Sequence, residues 1–247
     1  MKNIRTEESG RIIRMMIDRT KTMNPLDIET LEEIGEALKD ERKIGIIYGN
    51  NRAFSAGADI TIFQGLNPRS AYEFAMKGHD VMNFIQTRKM PVIAAIHGFA
   101  LGGGFELSLA CDYRIAHPSS QFGLPEITLG VLPGFGGTQR LLRLLGETMA
   151  FDMISRGRRI NAQDALGLHL INEISDDYLG RAMEVAKEYE ALPFEALTSI
   201  KELIRKQPDS GFELEKEYFA NLFNNENQKE GTKAFLEKRK PEFNRYI

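Results

Sequence analysis

The sequence has one cysteine, Cys111, among 247 residues, which excludes an intrachain disulfide and any zinc site built from several cysteines. Such a chain fits a reducing compartment. Its four histidines, His79, His97, His117 and His169, lack a ligand spacing such as HExxH, so no metal is expected. Long apolar runs are missing as well. No window approaches the roughly 20 apolar residues of a membrane-spanning helix, and the N-terminal stretch MKNIRTEESGRIIRMMI carries acidic residues and no signal-peptide core. The expectation is a cytoplasmic protein with no membrane partner. A formal net charge of -3 and the lack of a basic, aromatic stripe give nucleic acid no electrostatic footing. Internal repeats, low-complexity tracts and flexible linkers are also lacking.

What remains is ordinary globular material, 42% hydrophobic and 27% charged, enough for one large domain or a domain with a small appendage. Arg11 to Asp18 (RIIRMMID) and Lys43 to Tyr48 (KIGIIY) read as strands. Between them Asn24 and Pro25 look like a cap and first turn, with Ile28, Leu31, Ile34 and Leu38 at helical spacing. Ser70 to Arg88 fits an amphipathic helix stopped before Pro91, and Val92 to Ile96 (VIAAI) fits a strand covered on both faces. A helix from about Phe105 to Ala110 and a strand from Tyr113 to Ala116 follow. The alternation predicts an α/β fold. Beyond Gly130 short helices are expected at 138–145, 149–155 and 162–167, then a last strand over 168–173 and helices over 178–191, 194–206, 212–224 and 230–238. The apolar residues of 212–224, among them Phe212, Phe219 and Phe223, suit packing inside one subunit or against another.

The chemistry concentrates in HGFALGGGFELSLA, His97 to Ala110. Gly102, Gly103 and Gly104 bare the backbone N–H groups at a buried helix start, which suits an anion or a developing oxyanion. Glu106 follows at once. Taken alone, it is an acid favoured by the dipole of any helix's first turn, and Glu126, after Pro125, is a surface carboxylate by default. Neither Gly102 to Gly104 nor Gly134, Gly136 and Gly137 matches GxGxxG, and no GK[ST] ending follows, which removes nucleotide-type readings.

The segments RAFSAGADI (52–60), PVIAAIHGFALGGGFELSLACDYRIA (91–116), FGLPEITLGVLPGFGGTQRL (122–141), NAQDALGLHLIN (161–172) and EGTKAFLEKRKPEF (230–243) stand in this order. Together they resemble the enoyl-CoA hydratase/isomerase, or crotonase, family over nearly the whole chain. The resemblance implies an α/β, ClpP/crotonase-like spiral of ββα units over residues 1–177, with a helical region over 178–247 that packs subunits into homo-oligomers, trimers or dimers of trimers. It implies an acyl-CoA thioester substrate and no cofactor beyond the coenzyme A of that substrate. By the same resemblance the backbone N–H groups of Ala58 and Gly103 form an oxyanion hole, and Glu106 and Glu126 form the carboxylate pair of a hydratase. Glu106 would activate water for attack at Cβ and Glu126 would supply the proton at Cα. Arg52 would contact the phosphates of coenzyme A, Ala56, Asp59 and Ile60 would lie near its adenine, and Lys238 would reach it from a neighbouring subunit. Phe63, Leu66, Phe74, Met76 and Phe135 are candidates for the acyl pocket. Double-bond isomerisation or another crotonase-family reaction of a CoA thioester is the alternative within the family, and a non-catalytic, RNA-binding relative is the alternative outside catalysis.

Overall fold

The structure is a computed structural model that describes residues 1–19, 22–50, 52–205, 216, 218–222 and 225–243. A six-stranded sheet has the order β1 (Ile4–Ser9), β2 (Ile12–Ile17), β3 (Ile44–Tyr48), β5 (Val92–Ile96), β7 (Tyr113–Ala116), β10 (Glu173–Ile174). All its pairings are parallel except β1 with β2. A second sheet of short strands has the order β4 (Ala53–Ser55), β6 (Phe99–Leu101), β8 (Gln121–Gly123), β9 (Arg159–Asn161). Three strands of the large sheet each run into a short strand and then into a helix. β3 and β4 lead to α2 (Pro68–Thr87), β5 and β6 to α3 (Gly103–Ala110), and β7 and β8 to α4 (Gly137–Ser155). Three ββα turns stack, and the spiral expected from the resemblance is present.

Side-chain alternation explains the layers. Ile13, Met15, Ile17 and Ile47 face one side of the large sheet, in a core shared with α1 (Ile28–Ala37), α2 and α3. Ile12, Ile44, Ile46, Ile93 and Ile115 face the other, where Ala182, Val185 and Ala186 of α6 (Tyr178–Glu190) cover them. A sheet covered on both faces needs continuous apolar strands, and β5 is buried at every residue. The helix α3 is buried all round, which is why it shows no polar face. Helix α5 (Ala162–Gly167) is capped by Asn161, whose side chain accepts from the Asp164 N–H.

Several boundaries differ from expectation for identifiable reasons. Helix α1 is capped by Asp27, which accepts from the Thr30 N–H at 2.8 Å, while Asn24 is buried at φ +56° with its amide spent on the carbonyls of Ala53 and Phe54. Helix α2 begins earlier, at Pro68, through an Asn67–Ser70 capping box. The helices expected at 138–145 and 149–155 are there, joined as α4 with non-helical backbone at Gly146. The last strand is confined to Glu173 and Ile174, because Leu170 and Ile171 are buried in a turn that pairs with no strand. Of the helix expected at 212–224, Phe212, Leu214 and Phe223 lie outside the described residues. The final helix, α8, spans Glu226–Leu236.

Helix α7 (Phe194–Ile204) is tied to the core by charge. The buried Lys201 ammonium donates to Asp112 Oδ2 at 2.6 Å, Arg205 donates to Asp112 Oδ1 at 2.6 Å, and the Val92 N–H also reaches Oδ2 at 2.8 Å. Removing one partner of a buried pair leaves the other charge uncompensated. Asp112→Ala is therefore expected to cost about 3 to 5 kcal/mol in denaturant unfolding, and Asp112→Asn, which still accepts hydrogen bonds, less.

Candidate active site

The ββα turns place the starts of α3 and α4 side by side, and Glu106 lies where they meet. Its Oε1 accepts from the Phe135 N–H at 2.8 Å and the Gly137 N–H at 2.6 Å. Gly137 opens α4, so the carboxylate sits in the first turn of its own helix and at the positive end of a second one. The approach leaves no room at position 137, where a Cβ would stand 2.9 Å from Oε1. Glu106 is 1% exposed.

Glu126 enters from a short 3-10 turn, Glu126–Leu129, after β8. Its Oε1 lies against Gly102, where a Cβ would come within 2.9 Å and where φ is +51°, a left-handed conformation that suits glycine. Among the described residues its buried Oε2 has no hydrogen-bond partner. Burial pushes the Glu126 carboxyl up to about 7. Burial first, and then the neighbouring Glu126 charge, push Glu106 to about 7 as well, against the pull of the Gly137 and Phe135 N–H groups and of Arg140. Interacting carboxyls titrate as a pair, and near neutral pH such a pair carries about one proton.

Two backbone donors face the same space. Leu26 bridges Ala58 on either side, its N–H donating to the Gly57 carbonyl at 2.8 Å and its carbonyl accepting from the Asp59 N–H at 3.0 Å. Among the described residues nothing accepts from the Ala58 N–H or from the Gly103 N–H at the first position of α3. The two residues are neighbours, since a Cβ on Gly103 would lie 3.3 Å from Ala58 N. Donors in this arrangement can bind one oxygen between them.

Ala58, Gly103, Glu106 and Glu126 line one cavity of about 510 Å³, a size suited to a small ligand. Phe63, Leu66, Phe74 and Phe135 form much of its apolar wall, with Val131 and Leu132 opposite. Met76, expected here, is instead exposed on α2 and does not line the cavity, because its position on the helix turns outward. A larger cavity of about 760 Å³ between α4 and α7 holds no carboxyl pair, and its acid, Asp112, is already bound by Lys201 and Arg205.

Of the residues expected to contact coenzyme A, Arg52, Ala56, Asp59 and Ile60 share one short stretch, and Lys238 comes from the C-terminal helical region. Arg52 is exposed and lines a separate shallow cavity with Tyr48 and Tyr178. Ala56 and Ile60 are exposed on the loop that carries Ala58. The Asp59 carboxylate is bound by Thr61 and Arg19 and caps the 3-10 turn after it. Lys238 is exposed in the turn after α8, with left-handed backbone at φ +54°. One residue behind the site escaped sequence reasoning: Arg140, buried, which lines the larger cavity and holds the Phe135 carbonyl. It stands in TQRLLRLL, where a basic residue reads as part of a solvated helix face.

Comparison with known proteins follows the same lines. A family model described as Enoyl-CoA hydratase/isomerase matches residues 7–245. The "Short-chain-enoyl-CoA hydratase" of Clostridium acetobutylicum is 36% identical over 254 residues, covering 98% of this chain and 97% of that one. The "Crotonyl-CoA hydratase" of Syntrophomonas wolfei is 38% identical over 253 residues, covering 98% and 97%. Among solved structures, the enoyl-CoA hydratase from Bacillus anthracis superposes with a TM-score of 0.92 at 34% identity, covering 98% of each chain.

The raised carboxyls make a stability prediction. Between the ordinary value of 4.5 and the folded value of about 7, the folded chain holds a proton on Glu126 that the unfolded chain releases. Stability therefore falls as pH rises through that window. Glu126→Gln removes the penalty: thermal or denaturant unfolding is expected to find the variant roughly 1 to 3 kcal/mol more stable than wild type at pH 8, with the difference closing as pH falls toward 4.5.

Proposed function

The chain belongs to the enoyl-CoA hydratase/isomerase family, and from that membership we propose that it is an enoyl-CoA hydratase, adding water reversibly and syn to a trans-2-enoyl-CoA to give the 3-hydroxyacyl-CoA. The observation that carries the reading is the convergence of Glu106 and Glu126 in one apolar cavity beside two backbone donors that have no acceptor among the described residues. Isomerisation needs one base that carries a proton between carbons. Hydration needs a water held at Cβ and a separate proton for Cα, which two carboxyls supply.

The N–H groups that hold Glu106 Oε1 favour its ionised form, whereas among the described residues no donor stabilises a charge on Glu126 Oε2. Glu106 is thus the base. It takes a proton from water as the water oxygen bonds to Cβ. The thioester carbonyl becomes an enolate oxygen, which accepts from the Ala58 and Gly103 N–H groups, each worth about 3 kcal/mol in the transition state. Glu126 then protonates Cα, and the proton on Glu106 returns to Glu126 to reset the pair. No metal or redox cofactor takes part.

A cavity of about 510 Å³ walled by Phe63, Phe74 and Phe135 suits a short acyl group, as in the substrates that the names of the bacterial relatives state. For coenzyme A, the exposed loop residues Ala56 and Ile60 and the half-buried Asp59 would lie near the adenine, and the exposed Arg52 guanidinium and Lys238 ammonium would reach phosphate. Exposed Phe151, Ile204 and Phe219 supply apolar surface for a homo-oligomer, a trimer or a dimer of trimers. Among the described residues no helix is long and apolar enough to cross a membrane, and the buried thiol of Cys111 suits the cytoplasm.

Crotonyl-CoA hydration, followed by loss of enoyl thioester absorbance, tests the reading. Glu106→Gln and Glu126→Gln should each lower kcat by roughly 10²- to 10⁴-fold with KM little changed. Turnover that survives Glu106→Gln, or wild type that shifts a double bond without adding water, would favour isomerisation.

A further inference from the structure

The hydrogen bonds around Glu106 continue outward to a buried cation that the reaction itself does not need. Arg140, in the first turns of α4, is 7% exposed. Its Nη1 donates to the Phe135 carbonyl at 2.8 Å, its Nε to Gln86 Oε1 at 2.8 Å and its Nη2 to Asn83 Oδ1 at 2.9 Å. Phe135 is the residue whose N–H holds Glu106 Oε1. The short turn from Phe135 to Gly137 is therefore gripped from both sides, by a carboxylate on its N–H groups and by a guanidinium on a carbonyl. Asn83 and Gln86 belong to α2, so Arg140 also fixes the turn against the helix that carries Phe74 and Gly78.

None of the three acceptors is a carboxylate. Among the described residues Asn83, Gln86 and a peptide carbonyl orient the guanidinium and no carboxylate pairs with it, so its field acts on the acid of the site. That acid is Glu106, whose proton affinity Arg140 lowers, while Glu126 from the turn after β8 raises it. The exposed His79 of α2 stands close by, with Cε1 near the Cβ position of Gly136. Arg140 itself is faced by Arg143 of α4, by Arg205 beyond α7 and by the buried thiol of Cys111. The Phe135 and Gly137 N–H groups already favour charge on Glu106, and the guanidinium that holds their turn adds to that bias.

The geometry points to Arg140 as a positioning residue that locks the 135–137 turn and keeps Glu106, rather than Glu126, the ionised partner of the pair. The inference rests on the hydratase reading and deepens it: the division of labour between two chemically identical side chains, begun by the N–H groups on Glu106, is reinforced by a cation outside the reacting atoms.

The experiment compares the pH dependence of kcat/KM for crotonyl-CoA hydration in wild type, Arg140→Met and Arg140→Lys. Loss of the charge raises the pH at which Glu106 ionises, so the acid limb of Arg140→Met moves up by about 1 pH unit with KM little changed. Arg140→Lys keeps the charge and loses the fork of hydrogen bonds. Its limb stays within ~0.3 unit of wild type while kcat falls about tenfold. If both variants lose the same factor at every pH and neither limb moves, Arg140 is a packing residue and the proposal is overturned. Should Arg140→Met not fold, Asn83→Ala loosens the guanidinium without removing it. The limb then rises by a smaller amount, and an unmoved limb overturns the proposal equally. A carbon-13 titration of the Glu106 carboxyl in Glu126→Gln, with and without Arg140→Met, reads the same shift without turnover. A wild type inactive in hydration would sink the hydratase reading while this titration still decided the role of Arg140.

Discussion

The structure turns on the Glu106 carboxylate and the two N–H groups, from Phe135 and Gly137, that hold one of its oxygens. An acid buried at 1% exposure is costly unless its charge meets donors. Here the donors come from the start of a second helix, some 30 residues along the chain, as the sequence separations of 29 and 31 record. Three parts of the molecule must therefore be in register: α3, which carries the acid, α4, which caps it, and α2, which anchors the turn between them through Asn83 and Gln86. The ββα spiral satisfies this by giving each helix the same relation to the strand pair before it.

The same arrangement explains a cavity that is apolar in its walls and acidic at one point. Aromatic side chains exclude water from the two carboxyls, which raises their proton affinity and leaves them able to exchange a proton near neutral pH. The cost falls on folding. Other buried charges are mostly met, Arg114 by the carbonyls of Ser108, Cys111 and Leu170 and Lys201 by Asp112, though Arg88 Nε and Arg11 Nη1 lack a partner among the described residues. Glu126, with one oxygen lacking a partner among the described residues, is the exception that lies in the cavity.

How much of this was legible in the sequence follows from the range of the interactions involved. The apolar run of β5, the bare glycines and α3 are local, and their nature could be read from neighbouring residues. The strands of the second sheet could not, because β4, β6 and β8 are three residues each and too short to show a period. Strand β1 was missed because only Ile4 of its six residues is buried, so IRTEES reads as a solvated terminus. Asn24 looked like a helix cap because its partners, the Ala53 and Phe54 carbonyls, lie about 30 residues away. Arg140 escaped for the same reason, with acceptors on α2 that no local pattern announces. The family resemblance named the glutamates, and the tertiary contacts supply the physical difference between them.

The central claim is that two carboxyls, one ionised and one protonated, deliver a single water to one face of a double bond. Crotonyl-CoA hydrated in D2O, with the product examined by proton NMR, tests it most directly. The account predicts one deuterium at Cα, on the same face as the new Cβ hydroxyl. Deuterium on the opposite face, scattered over both Cα positions, or found in a product without oxygen at Cβ would contradict it.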